Sequence, residues 1–341
     1  MASAIDRPSQ GPGPERIFET LNAYQKTAAL KTAIELDVFT AISQGTNTTA
    51  ALAKKCQASE RGIRILCDFL VVNGFLAKNE LLYELAPDSA IFLNKRSPAY
   101  IGSAVGFLTL PELTGAFKDL TAIVRKGGSL DGDATTAEPD SPKWVEFARS
   151  MAPLQKLPAE AVAESLDAGA GAKWKVLDIA AGHGMYGVTI AKHNPNAEIF
   201  AVDWPRVLDV AKENAQTAGV ASRYHALPGN AFDVEFGMDY DLALITGFLH
   251  HFDQAAIETL LRKVYSALKP GGAAVTVEFV PNEDRVTPPI PAAFSMVMLG
   301  STRAGDAYPF SEYERMFRAA GFSSSELRRT PGPQSIIISR K

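Results

Sequence analysis

The chain has 341 residues, of which 46% are hydrophobic and 21% charged, a balance that suits about two globular domains and excludes wholesale disorder. Its formal net charge of -4 argues against the basic surface that a nucleic-acid backbone attracts. Two cysteines are too few for a disulfide framework, and the sequence lacks a signal peptide or a long apolar run, so we expect a cytoplasmic enzyme.

The N-terminal third has the order of elements found in winged-helix domains. Residues 1–16 are rich in Pro and Gly and predict a flexible tail. Apolar residues at helical spacing, with Thr48 and Ser59 as N-caps, predict several helices between positions 17 and 74. A short hairpin is then predicted between positions 75 and 85.

Winged-helix domains can bind DNA, and the balance of basic and acidic side chains in this region bears on that hypothesis. Residues 1–110 contain 11 basic and 10 acidic side chains, and the predicted recognition helix includes Glu60 and Asp68. Such a mixed surface disfavours phosphate binding, whereas an apolar helix pair favours packing against another subunit. We therefore expect a winged-helix-like dimerisation domain over residues 17–110, with a transcriptional regulator as the lesser alternative.

The sequence after residue 110 predicts connecting helices followed by an α/β domain. Residues 111–165 read as connecting helices and a loop, with the loop at 126–142 and one helix from Trp144 to about Leu166. Over residues 166–341 strands alternate with helices, which predicts a mostly parallel sheet covered on both faces. The predicted strands are Lys175–Ile179, Ala197–Val202, Tyr240–Thr246, Ala273–Phe279, Ser325–Arg328 and Ser335–Ser339.

A glycine loop follows the first of these strands. Gly182, Gly184 and Gly187 have the G-x-G-x-x-G spacing of a dinucleotide site, and Asp203 ends the next strand. Asp178, however, would repel a pyrophosphate and attract an ammonium group. S-adenosylmethionine carries an ammonium, a ribose and no phosphate, so the two acids favour it over NAD. The alternative is that Asp178 caps a helix and Asp203 starts a turn.

Three segments carry a family resemblance. Val176–Gly184 (VLDIAAGHG) resembles the first motif of class I S-adenosylmethionine-dependent methyltransferases, with Ala180 in place of its first glycine. Gly229–Phe232 (GNAF) resembles the G-D-x-F stretch, with Asn230 in place of the acid. Gly247–Asp253 (GFLHHFD) resembles the L-H-x-[WF]-x-D segment of small-molecule O-methyltransferases with an N-terminal winged-helix dimerisation domain, of the plant caffeic acid and bacterial natural-product types.

This resemblance implies a Rossmann-like, mostly parallel seven-stranded sheet, a homodimer, and methyl transfer from S-adenosylmethionine to a hydroxyl of a small aromatic molecule, without a metal, nucleic acid or membrane. It implies His250 as general base and Glu278 as an acid that orients it, with Asp306 as the nearest candidate for a second acid. The implied cofactor residues are Asp178, Gly182, Gly184, Asp203, Trp204, Gly229, Asn230, Ala231, Phe232, Thr246 and Met151. The implied substrate-pocket residues are Phe147, Met151, His251, Phe294 and Met298.

The chemistry of the residues agrees with this resemblance. A phenol has a pKa of about 10, so a neutral imidazole that accepts its proton accelerates methyl transfer. Alternatives stay open: C- or N-methylation, a member that binds S-adenosylmethionine without transferring methyl, a passive pocket role for His250, or a metal site with Asp253. His251 stands where the family often has Asp, which leaves its role open.

Overall fold

The computed structural model describes residues 12–130, 141–330 and 332–341, which fall into two compact units that divide between Val105 and Gly106. The predicted loop at 126–142 therefore lies in part outside the described residues. In the described part of the chain, no helix combines the length and the apolar character needed to cross a membrane.

The N-terminal unit has the predicted order of helices followed by a hairpin. The Thr48 hydroxyl accepts from the Ala51 N–H and the Ser59 hydroxyl from the Gly62 N–H, which confirms both caps. The first helix begins at Glu15, inside the segment predicted as a tail. The elements are α1 (Glu15–Leu21), α2 (Ala23–Glu35), α3 (Val38–Ser43), α4 (Thr49–Lys55), α5 (Glu60–Val72), β1 (Leu76–Asn79), β2 (Leu82–Leu85) and α6 (Pro87–Phe92).

The C-terminal unit is built on a seven-stranded sheet. Its strands are β3 (Lys175–Ile179), β4 (Glu198–Asp203), β5 (Tyr224–Pro228), β6 (Tyr240–Thr246), β7 (Leu268–Glu278), β8 (Ser324–Arg329) and β9 (Ser335–Arg340). The helices, counted from one that spans the division, are α7 (Val105–Leu108), α8 (Pro111–Ala116), α9 (Leu120–Lys126), α10 (Pro142–Met151), α11 (Lys156–Ser165), α12 (Met185–His193), α13 (Pro205–Thr217), α14 (Gln254–Ala267), α15 (Pro289–Ser301) and α16 (Phe310–Ala319).

The strand order is β5-β4-β3-β6-β7-β9-β8, with the first five strands parallel and β9 antiparallel to both of its neighbours. This confirms the predicted Rossmann-like sheet. Apolar clusters cover both of its faces. The strand order reverses between β3 and β6, and ligands of such sheets bind at the carboxyl ends of the strands beside that reversal.

One predicted helix differs from the structure, and one strand of the sheet was missed. The single helix expected from Trp144 to Leu166 is two helices, α10 and α11, joined by a short 3-10 turn. Pro153 in that turn has no N–H to donate, so it interrupts the helix. Strand β5 was not predicted from the sequence. It lies at the sheet edge and is only partly buried, so it lacks a continuous apolar run.

Candidate active site

The glycine loop between β3 and α12 packs closely against its surroundings. Ala180, where the family motif has glycine, takes a φ of 52°, in the left-handed region that glycine favours. Gly184 has a φ of 70°, and a Cβ there would lie 2.6 Å from the Tyr224 hydroxyl and 2.9 Å from the Ala211 Cβ. The loop backbone thus needs Gly184 both for its conformation and for space.

Asp178 lies beside this loop, and one of its carboxylate oxygens accepts no hydrogen bond from the described residues. The side chain is 1% exposed, and its Oδ2 accepts from the Gly187 N–H at 3.2 Å. Its Oδ1 is buried without a hydrogen-bond partner among the described residues. Burial raises the pKa of the carboxyl to about 7. A buried, unpartnered acceptor calls for a donor, and an ammonium group satisfies both its hydrogen-bonding capacity and its charge.

Asp203, at the end of β4, lies beside a cavity of about 480 Å³, a volume ordinary for a small-molecule site. Its oxygens accept from the Gly182 N–H at 2.8 Å and the Trp204 N–H at 2.7 Å. Burial raises the pKa of this carboxyl to about 6. A carboxylate with two such bonds retains lone pairs for ribose hydroxyls. The predicted cofactor residues that line the cavity are Asp203, Trp204, Gly229, Asn230, Ala231 and Phe232.

Asn230 already takes part in a local turn. Its Oδ1 accepts from the Phe232 N–H at 3.0 Å and its Nδ2 donates to Asp233 at 2.9 Å. The amide oxygen keeps one lone pair for an adenine amino group. Thr246 ends β6 and Met151 ends α10, and neither is among the residues that line the cavity.

His250 follows β6, and a buried carboxylate at the end of β7 fixes its orientation. His250 is 6% exposed and Glu278 is fully buried. The Nδ1 of His250 and Oε2 of Glu278 are 2.5 Å apart, while Oε1 accepts from the N–H groups of Phe248 at 3.1 Å and Leu249 at 2.9 Å. A carboxylate can only accept, so Nδ1 carries the proton and Nε2 is left as the basic atom. The predicted pairing of His250 with Glu278 is present.

His251 lines the cavity next to the predicted cofactor residues. Its Nδ1 is buried without a partner among the described residues, and burial lowers the pKa of its imidazole well below the usual value. Its ring meets Trp144 edge-on at 5.9 Å and lies 4.4 Å from the His250 ring, both between centroids. Asp253, considered above as a metal ligand, instead caps α14 by accepting from the Ala256 N–H at 2.8 Å.

Aromatic side chains adjoin the two histidines and the glycine loop. Phe294 meets the His250 ring edge-on, with centroids 4.9 Å apart. Phe147 stacks on His183 of the glycine loop at 6.2 Å. Met298 is buried and is not among the residues that line the cavity described above. Of the predicted pocket residues, Phe294 thus lies against the proposed base, and Phe147 against the loop.

Asp306, the predicted second acid, forms an ion pair with Arg285. Its Oδ2 accepts from the Arg285 guanidinium at 2.9 Å and its Oδ1 from the Ala307 N–H at 2.8 Å. No hydrogen bond joins Asp306 to His250 within the described ranges. A guanidinium is thus the partner that holds this carboxylate, and the second orienting role of Asp306 stays a prediction. Among the described residues, Glu278 is the carboxylate that contacts the His250 ring.

Several residues that line the cavity were missed in the sequence, among them two phenylalanines and an arginine. Phe248 and Phe252 flank the histidine pair, and their rings lie 4.9 Å apart, edge to face. Their position beside the histidines was a signal that could have identified them. Arg303, in the turn after α15, also lines the cavity. Neither the helix nor the turn was predicted, so no sequence signal pointed to this residue.

Comparison with known proteins gives the class. Residues 127–323 match the model of the O-methyltransferase domain, and residues 18–95 match that of the O-methyltransferase dimerisation domain. A solved protein from Nostoc punctiforme, provisionally named an O-methyltransferase, is 52% identical, with a TM-score of 0.93 over 97% of this chain and 100% of its own. The tetracenomycin polyketide synthesis 8-O-methyl transferase of Streptomyces glaucescens is 24% identical over 96% of this chain and 97% of its own length.

Human N-acetylserotonin methyltransferase, solved in complex with S-adenosylmethionine, shares the fold: it is 22% identical, with a TM-score of 0.83 over 98% of this chain and 99% of its own. The domain model covers more than half of the chain, so the chain belongs to the O-methyltransferase family. The protein is an S-adenosylmethionine-dependent O-methyltransferase, which confirms the predicted family, methyl donor and reaction class.

Proposed function

We propose that the protein methylates a hydroxyl of a small aromatic acceptor, with His250 as general base. The observation that carries this proposal is the 2.5 Å contact between His250 Nδ1 and Glu278, which leaves Nε2 as the basic nitrogen. S-adenosylmethionine, when bound, supplies an electrophilic methyl group on a sulfonium. The protein's own task is to align the acceptor oxygen with that methyl and to remove its proton.

The proton and electron balance is simple. His250 Nε2 takes the hydroxyl proton as the acceptor oxygen forms a bond to the methyl carbon. The carbon–sulfur bond breaks, and its electron pair stays on sulfur in S-adenosylhomocysteine. Glu278, buried and bonded to Nδ1–H, stabilises the imidazolium that results. The proton then leaves His250 to solvent, so the base is ready for another cycle.

We assign the methyl donor to the cavity and the loop beside it. Asp178 supplies an unpartnered acceptor for the ammonium, and Asp203 retains lone pairs for the ribose. Gly229, Asn230, Ala231 and Phe232 belong to the adenine side, and Trp204 to the same cavity.

An aromatic acceptor suits the surroundings of the base. Phe294 presents its ring to His250, and Phe279 stacks on Phe294 with centroids 4.1 Å apart. Flat apolar ligands gain from such walls. Named relatives include a naphthoate 3-O-methyltransferase of Streptomyces sahachiroi, 25% identical over 99% of this chain.

Replacing the base tests this proposal. In methyl transfer to a panel of phenols that includes catechol and 1-naphthol, His250→Ala should lower kcat/KM by about 10²–10⁴-fold. Binding of S-adenosylhomocysteine should be unchanged, because His250 is not among the cavity residues. Glu278→Gln should also lose rate, since an amide stabilises the imidazolium less well. A His250→Ala enzyme that keeps the full rate at neutral pH would refute the assignment.

We further propose that residues 17–110 make the protein a homodimer and that residues 166–341 form the catalytic domain. Support comes from four exposed apolar side chains at helical spacing near the N-terminus: Ile17, Phe18, Leu21 and Tyr24, each 59–68% exposed. Contiguous apolar surface of this kind usually marks an interface. Phe18, Leu21 and Tyr24 lie within residues 18–95, which match the dimerisation-domain model.

A further inference from the structure

The buried hydroxyl of Thr302 holds the turn at residues 302–305, between α15 and α16, in place by two hydrogen bonds. Thr302 is 2% exposed, and its Oγ1 donates to the Met298 carbonyl at 2.7 Å. The same oxygen accepts from the Gly305 N–H at 2.8 Å. The hydroxyl therefore fixes where the backbone of Gly305 lies relative to the end of α15.

This turn lies between two other stretches of backbone. On one side the Ser129 N–H donates to the Thr302 carbonyl at 2.8 Å, and a Cβ on Gly128 would collide with the Arg303 carbonyl oxygen. On the other side, a Cβ on Gly305 would collide with the His250 carbonyl oxygen and would lie 2.8 Å from the His251 carbonyl carbon. The turn thus rests directly on the backbone of the histidine pair.

The contact explains why position 305 has no side chain. The backbone of Gly305 is outside the left-handed region, so its conformation is open to any L residue. A methyl group would meet the His250 carbonyl oxygen and the His251 carbonyl carbon, which are backbone atoms and cannot rotate away as a flexible side chain could. It would also lie 2.8 Å from the Thr302 hydroxyl oxygen, which is held in the same turn. A Cβ at position 305 would therefore push the backbone of residues 250 and 251 away, because a close-packed interior transmits strain.

We propose that the 302–305 turn is a positioning element for His250, acting through the close contact of Gly305 with the His250 backbone. This inference rests on the proposed role of His250 as base. Glu278 fixes the imidazole through Nδ1 and holds the N–H groups of residues 248 and 249. The turn fixes the carbonyl side of the same segment. Thr302 and Gly305 touch no reacting atom in this scheme, so they are positioning residues.

Gly305→Ala is the direct test, and Gly169→Ala is its matched control. Gly169 also has a backbone open to L residues, but a Cβ there would meet nothing within 4 Å. With histidines labelled at ¹³Cε1, and the His250 signal assigned by its loss in His250→Ala, we expect Gly305→Ala to shift that signal and its titration. Gly169→Ala should leave both unchanged. This readout requires no acceptor.

The kinetic readout uses phenols of decreasing pKa, from 1-naphthol to 4-nitrocatechol. Gly305→Ala should lower kcat about 10-fold or more on the least acidic phenol, and the loss should shrink on the most acidic one, which is already ionised and needs no base. A uniform loss on all phenols, or an unshifted His250 signal, would overturn the positioning role.

Thr302 provides a second probe should Gly305→Ala fail to fold. Thr302→Val removes the hydroxyl that ties the turn to α15, whereas Thr302→Ser keeps it. We expect the His250 shift and the rate loss in Thr302→Val and their rescue in Thr302→Ser; equal behaviour of the two variants would contradict the proposal. Failure of the proposed function is distinguishable, because it would appear as full activity of His250→Ala whatever the Gly305 result.

Discussion

At the residue scale, the proposed recognition of the methyl donor depends on two buried acids. Asp178 accepts one backbone hydrogen bond and keeps an unpartnered oxygen, whereas Asp203 accepts two. The difference accounts for the order of their pKa values, about 7 and about 6, because burial raises both and N–H donors lower them again. Without a cationic partner, Asp178 is therefore partly protonated near neutral pH.

This protonation makes donor binding pH-dependent. The ammonium of the ligand favours the ionised carboxylate, so the bound pKa of Asp178 lies below the free value of about 7. Affinity for S-adenosylhomocysteine should consequently rise from pH 5.5 and level off above about pH 7, by up to about tenfold per pH unit for one linked proton. Titration calorimetry in two buffers should show proton release. Asp178→Asn should remove the part of this dependence near pH 7 and leave that of Asp203, whose carboxyl has a pKa of about 6; a pH-independent wild-type affinity would contradict the prediction.

At the element scale, the glycine loop owes its shape to steric constraints as well as conformational ones. Gly184 lies against Tyr224 from β5 and Ala211 from α13, so one residue determines how closely the loop approaches two elements. Tyr224 also has its hydroxyl buried without a partner among the described residues. A methyl group at position 184 would press on this hydroxyl.

A pair of variants separates conformation from packing. Gly184 and Gly271 have φ values of 70° and 76°, but a Cβ on Gly271 would meet nothing within 4 Å. Gly271→Ala should cost only the left-handed penalty, about 1–2 kcal/mol of unfolding free energy. Gly184→Ala should cost about 1–3 kcal/mol more through overpacking and should also weaken S-adenosylhomocysteine binding. Denaturant unfolding and calorimetry measure both effects; equal losses in the two variants would exclude the packing contribution.

At the scale of the whole molecule, the proposed homodimer depends on the N-terminal unit. Phe18 and Leu21 are 59% and 66% exposed on α1, and no buried residue belongs to that helix. A seven-residue helix without a buried face has little stability of its own. We therefore propose that a second copy of the chain packs against its apolar side chains.

A charged substitution in that face tests the assembly. Leu21→Glu should convert the proposed dimer to a monomer in sedimentation velocity, because an unpaired carboxylate would be buried at the interface. Met238→Glu, at a 65% exposed position in the other unit, is the control and should leave the dimer intact. A wild-type protein that sediments as a monomer would contradict the proposal.

The predictions from sequence succeeded where a signal is local. Strands β3 and β6 have the predicted bounds, because each is a short, almost continuously buried apolar run. The contact between His250 and Glu278 could be predicted because Glu278 ends β7 and His250 follows β6, its parallel neighbour. Asp306 could not be placed, because its partner Arg285 is 21 residues away in an irregular segment.

The sequence by itself determined the class of sheet, the glycine loop with its two acids, and the histidine that follows β6, because each depends on spacing within a few residues. Only the tertiary structure decided that Asp306 pairs with Arg285, that His251 lines the same cavity as Asp203, and that Gly305 rests on the histidine backbone. Those contacts join segments that lie far apart in the chain, and packing rather than any local pattern brings them together.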